Sequence, residues 1–381
     1  MAGRWTPKGF NRGLIGSAGK DPIRRGKMHF HGKVSGITSD SIEVDEQTFT
    51  SSGTWTKPAG AIMTYIYCVG GGGGGGSGGR GTHHSGGGGG AGGGTDLQMF
   101  ISAALQSTMS VAVGAAGSGA AAKTSSNAIG GDGSKGGNST VTNGSDIIAH
   151  GHGSRGGTGG GHSVGAVGSP IHRGMLGIPY SQANYSTHLL DTTPGAGGTG
   201  EDDDQGRGGN PGFGPGGGGG ATNSYSSSYG AGQGGRGSAW FNGIGSVMAA
   251  PTYGATLGTG GIRAAGWTGL YNGNYTMWQG NNYFWDQDSV YKYVMASGGG
   301  GNGASSSGGN GSNGTDRTFG GDGGGAGGGV SSGNAGAGGN GGFPGGGGGG
   351  GGSQTGDNGD TGAGGDGAAG KVWIWTVRFA Q

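Results

Sequence analysis

Runs of pure glycine recur along this sequence and limit what it can fold into. Glycine supplies 115 of the 381 residues. A glycine run has no side chains to bury, and glycine loses more conformational freedom on folding than any other residue. Such a chain either packs its own backbone or serves as a flexible linker. The runs are 70–76, 86–90, 92–94, 159–161, 216–220, 298–301, 323–325, 327–329 and 345–352.

Polyglycine II helices would allow the backbone itself to pack. This extended helix has three residues per turn and no internal hydrogen bonds, so its N–H and C=O groups must bond to neighbouring helices. Any Cβ at a contact would hold two helices apart, which explains the need for pure glycine. Collagen is excluded because the chain as a whole has no Gly-X-Y period and only 10 prolines. We therefore predict a stack of polyglycine II helices with almost no α-helix.

Short antiparallel strands are predicted around the glycine runs. Alternating and β-branched residues indicate two strands in 48–69, split by a turn at Pro58-Ala59-Gly60, and a third strand in 99–117. Asn143-Gly144 predicts a hairpin with a type I′ turn in 138–150. Residues 371–379 form the last predicted strand. Pairing of the first strand with the last would clamp the glycine region shut.

The N-terminal 47 residues differ in composition from the rest. Residues 1–33 contain eight lysines and arginines against one acid, Asp21, although the net charge of the whole chain is only +1. Residues 27–35 and 41–46 alternate polar and apolar, which predicts two strands that form a hairpin or join a partner's sheet. We interpret 1–47 as an attachment segment. A basic arm on nucleic acid is the competing reading, but no motif supports a nucleic-acid partner.

Two long interruptions of the glycine pattern, 163–190 and 221–297, contain most of the aromatic residues. Tyrosine and tryptophan give large, rigid contact surfaces at low entropy cost, which suits binding to sugars or protein loops. The alternative is that the rings only pack on one another. The candidate receptor-binding residues are Trp267, Tyr271, Tyr275, Trp278, Tyr283, Phe284, Trp285, Tyr180 and Tyr185.

Other kinds of site have weaker support. His29 and His31 lie on one face of a predicted strand, and they would offer metal ligands on the axis only if the chain forms a homotrimer. Ordinary surface histidines are the competing reading. The single Cys68 is expected in a buried strand, and no catalytic motif is present. We expect no enzymatic activity, no cofactor and no insertion into a lipid bilayer.

Three segments together resemble the glycine-rich domains of bacteriophage tail fibres and minor tail proteins. They are Phe-Thr-Ser-Ser-Gly-Thr-Trp-Thr-Lys-Pro-Ala-Gly at 49–60, Ser-Val-Ala-Val-Gly-Ala-Ala-Gly-Ser-Gly at 110–119, and Val-Trp-Ile-Trp-Thr-Val at 372–377. The resemblance covers roughly 48–381. The architecture that it implies is similar to that of polyglycine-sandwich adhesins at fibre tips. Residues 1–47 do not match such adhesins.

The resemblance implies a virion protein, assembled in the host cytoplasm, whose inserted loops bind a bacterial surface glycan or outer-membrane protein. Residues 1–47 would then dock to other virion proteins, and 48–381 would form the glycine-rich domain. A decoration or connector of the phage head or tail, with no receptor-binding role, is the alternative. A cold-surface protein with a flat ice-binding face is a more distant one.

Overall fold

The computed structural model describes residues 42–82, 84–161, 186–192, 215–221, 308–356 and 358–380. This part contains nine strands, one short 3-10 turn at Ser102–Ala104 and no α-helix. None of its helical segments is long and apolar enough to cross a membrane. The strands are β1 (Ile42–Phe49), β2 (Gly53–Thr56), β3 (Ala61–Val69), β4 (Thr95–Ile101), β5 (Thr108–Ala112), β6 (Ser139–Asn143), β7 (Asp146–Gly151), β8 (Ser186–Thr192) and β9 (Lys371–Phe379).

The strands form two antiparallel sheets. The larger sheet has the order β1-β9-β3-β4-β8, and the smaller has the order β2-β5-β6-β7. The last strand, β9, lies between β1 and β3, with Phe379 opposite Ile42 and Lys371 opposite Val69. The predicted clamp between the first and last strands is therefore confirmed. Strand β1 starts before the predicted boundary at residue 47, so the end of the predicted attachment segment belongs to this sheet.

A hydrophobic core joins the two sheets into a sandwich. Successive residues of β9 point to opposite faces of its sheet, so Val372 and Ile374 pack into this core while Trp373 and Trp375 lie on the other face. Cys68 is fully buried in the core, as the sequence predicts. The other buried members are Trp55, Ile66, Phe100, Leu105, Met109, Val111, Val141, Ile148 and Ala149.

The two strands predicted in 48–69 are confirmed as β2 and β3, which lie in different sheets. Two other details of the strand prediction need correction. The single strand predicted in 99–117 is instead the end of β4 and all of β5, separated by the 3-10 turn. The hairpin of β6 and β7 is confirmed, but only Gly144 of its two loop residues has a positive φ, at 67°. One positive φ at the first loop position is typical of type II′, whereas type I′ needs two.

Eleven extended segments in the described part form a slab beside the sandwich. We number them glycine helices 1 to 11 in chain order. Their residues are 70–79, 85–94, 114–122, 129–138, 152–161, 215–221, 309–316, 321–330, 334–343, 345–354 and 359–370.

The hydrogen bonds of glycine helix 1 repeat every three residues. The N–H groups of Gly70, Gly73 and Gly76 bond to glycine helix 2, and the next two residues in each triplet bond to glycine helices 4 and 11, all at 2.8–3.1 Å. Its carbonyl groups accept bonds from glycine helices 3, 5 and 10. One turn of three residues thus reaches six neighbours, which is the arrangement that polyglycine II requires.

Glycine helix 10 is a second centre of the same lattice. It exchanges hydrogen bonds with glycine helices 1, 2, 6, 8, 9 and 11. These contacts arrange the described slab in three layers, with glycine helices 5-2-6 in the first, 4-1-10-8 in the second and 3-11-9-7 in the third. The predicted stack of polyglycine II helices closed by antiparallel strands is confirmed.

The positions at which a helix requires glycine depend on where that helix lies in the slab. In the central glycine helix 1, a Cβ on Gly75 would lie 2.0 Å from the carbonyl oxygen of Gly349. In the edge glycine helix 4, Gly130, Gly133 and Gly136 face glycine helix 1 in the same way, with 2.1–2.2 Å to its carbonyl oxygens. Between them, exposed residues such as Lys135 are tolerated. On the side of glycine helix 4 that faces glycine helix 1, glycine is therefore needed at every third position.

The slab continues directly into the sandwich. Glycine helices 1, 2, 3, 4, 5 and 11 each join a strand at one end, which we call the proximal end of the slab. Phe319, in the proximal turn between glycine helices 7 and 8, packs on Tyr67 and Trp373 with ring centroids 6.0 and 5.2 Å apart. Tyr67 Oη also donates to the Phe319 carbonyl at 3.3 Å. Arg317 and Asp322 brace this turn through two hydrogen bonds of 2.6 Å.

Candidate functional site

The residues predicted to bind a receptor or a metal lie outside the described part of the chain. They fall in 1–41, 162–185 and 222–307. These residues are His29, His31, Tyr180, Tyr185, Trp267, Tyr271, Tyr275, Trp278, Tyr283, Phe284 and Trp285. The structure therefore locates the points at which these segments join the fold.

Both junctions of the longest aromatic-rich segment lie toward the distal end of the slab, opposite the sandwich. Ala221 ends glycine helix 6 and bonds to Gly87, close to the distal start of glycine helix 2. Gly309 begins glycine helix 7 and accepts a bond from Gly328, close to the distal end of glycine helix 8. Segment 222–307 therefore leaves and rejoins the slab at the distal end. Glycine helix 5 also runs distally, so segment 162–185 leaves from the same end.

The N-terminal segment joins the molecule at the opposite pole. Ile42, the first residue of β1, pairs with Phe379, whereas Phe49 pairs with Val372 close to the slab. The chain thus enters β1 at the end of the sandwich that is farthest from the slab. At about 3.1 Å per residue, the ten residues of glycine helix 1 add about 30 Å to this separation.

The described turns of the distal end hold a buried polar cluster. Arg80 Nη1 donates to the carbonyl of Thr124, and the Arg80 N–H donates to Ala128 at 2.8 Å. Gln354 is fully buried, and its backbone bonds to Gly79 and Gly81 at 3.0 and 2.8 Å. In this described region, neither Nε2 nor Oε1 of Gln354 has a hydrogen-bond partner. No pattern in the sequence points to Gln354, because the glycines before it carry no side chains that would show which helices surround it.

A row of exposed Asn and Asp side chains crosses the third layer of the slab. Oδ1 of Asn313 accepts a bond from the Asn340 N–H, and Oδ1 of Asn340 accepts one from the Asp366 N–H, both at 2.9 Å. Oδ1 of Asp366 then accepts from the Gly119 N–H at 2.8 Å. These side chains replace carbonyl acceptors that a further layer would supply. The signal in the sequence is a local period of three, as in Asn310, Asn313 and Asp316.

The glycine helices and strands correspond to a known sequence family. Residues 46–244 match the family model described as a glycine-rich domain. The chain belongs to the glycine-rich domain family. No curated protein matches the chain. The match includes glycine helices 1 to 6, and the structure shows that glycine helices 7 to 11, beyond the match, continue the lattice of the glycine-rich domain.

A second polar cluster lies where β7 of the glycine-rich domain meets β4. The His150 N–H donates to Asp96 Oδ2 at 2.9 Å, and the rings of His150 and His152 are 3.8 Å apart. Burial lowers the pKa of His150, and the charge of Lys135 lowers it further. Burial, with the charge of Asp96, raises the pKa of the Cys68 thiol well above its ordinary value. The described residues contain no group of three or more side chains able to hold a metal ion.

Proposed function

We propose that this chain is a structural protein of a bacteriophage virion, of the tail-fibre or adhesin type, which presents loops to the bacterial host surface. The family match supports a glycine-rich domain, and the resemblance of 49–60, 110–119 and 372–377 to phage tail-fibre proteins supports the phage assignment. In this proposal, the partner at the loops is a surface glycan or an outer-membrane protein.

The observation that carries the proposal is the polarity of the molecule. The N-terminal segment joins β1 at one pole, and the aromatic-rich segment 222–307 joins the slab at the other. A protein that is anchored by one end and binds through the other needs this separation. A rigid spacer also suits it, because a slab held by backbone bonds in every direction keeps the loops at a fixed distance from the anchor.

The proposal assigns a separate role to each part. Residues 1–41 dock to other virion proteins, the slab and sandwich hold the distal end away from the virion, and 222–307 makes the main contact with the host. Segment 162–185 leaves the slab at the distal end but rejoins the fold at Ser186, which pairs with Phe100 in the sandwich. Six residues span at most about 20 Å, so the proposal does not assign Tyr180 and Tyr185 to the distal contact. Aromatic rings supply contact area that loses little entropy on binding, because each has only two side-chain torsions.

The test is binding of fluorescently labelled protein to candidate host cells. One variant replaces 272–285, which holds Tyr275, Trp278, Tyr283, Phe284 and Trp285, with a Gly-Ser loop of equal length. The matched control changes Ser331 and Ser332 to glycine, in an exposed distal turn that has no aromatic residue. We expect the control to bind like the wild type and the loop variant to lose binding.

Folding of each variant is checked by a cooperative denaturant transition in tryptophan fluorescence, to which the buried Trp55 and Trp373 contribute in every variant. If the wild-type protein binds no host of the parent phage, the adhesin proposal fails, and a decoration or connector protein of the head or tail becomes the better explanation. If the folded loop variant binds as well as the control, the receptor site is not in 272–285.

A further inference from the structure

Strand β1 leaves one edge of the larger sheet open. It is the outermost strand, it pairs on one side with β9, and the described residues contain no strand on its other side. Its eight residues include no proline, and its register with β9 is unbroken. Natural proteins usually shorten, bulge or cover an edge strand, because free N–H and C=O groups pair readily with another strand. This edge is therefore suited to receive a strand.

The charges of β1 determine what kind of strand fits. It carries Glu43, Asp45 and Glu46 and no basic residue. Glu43 has a partner in Arg378 at 3.0 Å. Full antiparallel pairing with β1 of a second copy would place Asp45 opposite Glu46, and like charges in that position are destabilising. A basic strand fits this edge better than a second copy of β1 does.

We propose that the chain's own basic segment 27–35 docks on the free edge of β1. Its nine residues match the eight of β1 in length, and it contains no acid, so its Lys27, His29, His31 and Lys33 avoid the like-charge pair that a second copy of β1 would bring. Residues 36–41 tie it to Ile42, so its effective concentration at the edge is high. The segment lies outside the described residues, and the proposal rests on its sequence and on the geometry of β1.

The alternation of the segment agrees with the two faces of β1. A hairpin that turns through 36–41 pairs residue 35 with Ile42, which sets Phe30 opposite Gln47. On β1, Phe49 packs against the sandwich core and the Gln47 side chain bonds to the Thr56 carbonyl of β2 at 3.0 Å. Met28, Phe30 and Val34 would therefore extend the face covered by the smaller sheet. His29, His31 and Lys33 would extend the opposite face, beside Glu46.

Disulfide cross-linking tests this pairing in the full chain. The pair His31→Cys with Glu46→Cys joins positions that face each other in the hairpin, and the control pair Gly32→Cys with Glu46→Cys is one residue out of register. Cys68 is fully buried and does not compete. We expect rapid cross-linking within single chains for the first pair and at least tenfold slower cross-linking for the control.

Each other outcome overturns the proposal. Cross-links only between chains would show that a second copy supplies the strand, and equal rates for the two pairs would show that no fixed register exists. Hydrogen exchange provides a second readout: deletion of 1–35 should raise the exchange rate of the outer amides of β1 at least tenfold. Unchanged exchange also rejects the pairing. Neither experiment uses host cells, so this inference can fail while the proposed function stands.

Discussion

Replacement of Gly75 by alanine should lower the free energy of unfolding by several kcal/mol, because Gly75 lies in the central glycine helix. The new Cβ would lie 2.0 Å from the Gly349 carbonyl oxygen, whereas an ordinary contact is 3.4 Å or more. Glycine helices 1 and 10 would have to part by more than 1 Å, since both partners are backbone. They cannot part freely, because each is bonded to six neighbours.

The cost can be estimated from the bonds that flank the site. The Gly348 N–H donates to Gly73 and the Gly351 N–H donates to Gly76, each at 2.9 Å, and both bonds cross the same contact. A lost hydrogen bond that leaves a buried group unpaired costs about 1–3 kcal/mol. Losing both gives a destabilisation of about 2–6 kcal/mol. That is a large fraction of the roughly 5–15 kcal/mol by which domains are stable.

Gly131→Ala is the matched control. Its Cβ would meet Lys123 Nζ at 3.4 Å, Ala120 Cβ at 3.5 Å and Lys123 Cε at 3.7 Å, all ordinary contacts, so there is room for the methyl group. A fitting Gly-to-Ala change stabilises by about 0.4–1 kcal/mol, through the unfolded chain. Denaturant titration followed by the fluorescence of the buried Trp55 and Trp373 measures both free energies of unfolding. If the two variants agree within about 0.5 kcal/mol, the close packing of glycine helices 1 and 10 is refuted.

Three further predictions use the same titration. Asn313→Ala should lower the free energy of unfolding by about 1 kcal/mol, because the Asn340 N–H loses its acceptor, whereas Asn313→Asp keeps an acceptor and should be nearly neutral. Equal losses would show that Oδ1 contributes nothing. Gln354→Met should raise stability by about 1 kcal/mol, because it removes a buried amide that has no partner among the described residues; a loss instead would show that the amide is satisfied. The lowered pKa of His150 means that the unfolded chain binds a proton more readily than the folded one. Stability should therefore fall as the pH drops below the ordinary value of 6.5, and His150→Asn should reduce that fall; an unchanged pH profile would exclude His150 as its source.

The strands were readable from the sequence because their side chains carry the pattern. In β9, the alternation of Val372, Trp373, Ile374 and Trp375 predicts two different faces, and both faces are buried against different partners. The turn at Gly144 was also readable, since glycine is favoured where φ is positive. The assignment of strands to sheets could not be predicted, because no local pattern shows that the chain changes sheets between β2 and β3 or between β4 and β5.

The lattice was predictable as a type of packing but not as a set of neighbours. Residues 345–352 are all glycine, so no side chain selects which helices surround them. The neighbours are set instead by the turns and strands that fix where each helix starts. Edge positions such as Asn313 and Asp366 carry more information, because their side chains accept specific backbone N–H groups. The candidate receptor site was predicted from aromatic content alone, and it stays a prediction.

The direction of the bonds between the glycine helices has a mechanical consequence. Every such bond runs sideways, whereas a pull between the N-terminal strand and the junctions at Ala221 and Gly309 runs along the helix axes. Such a pull loads many bonds in shear at once, so they must fail together rather than one after another. The slab should therefore resist stretching along its axis far better than peeling of an edge helix from its side.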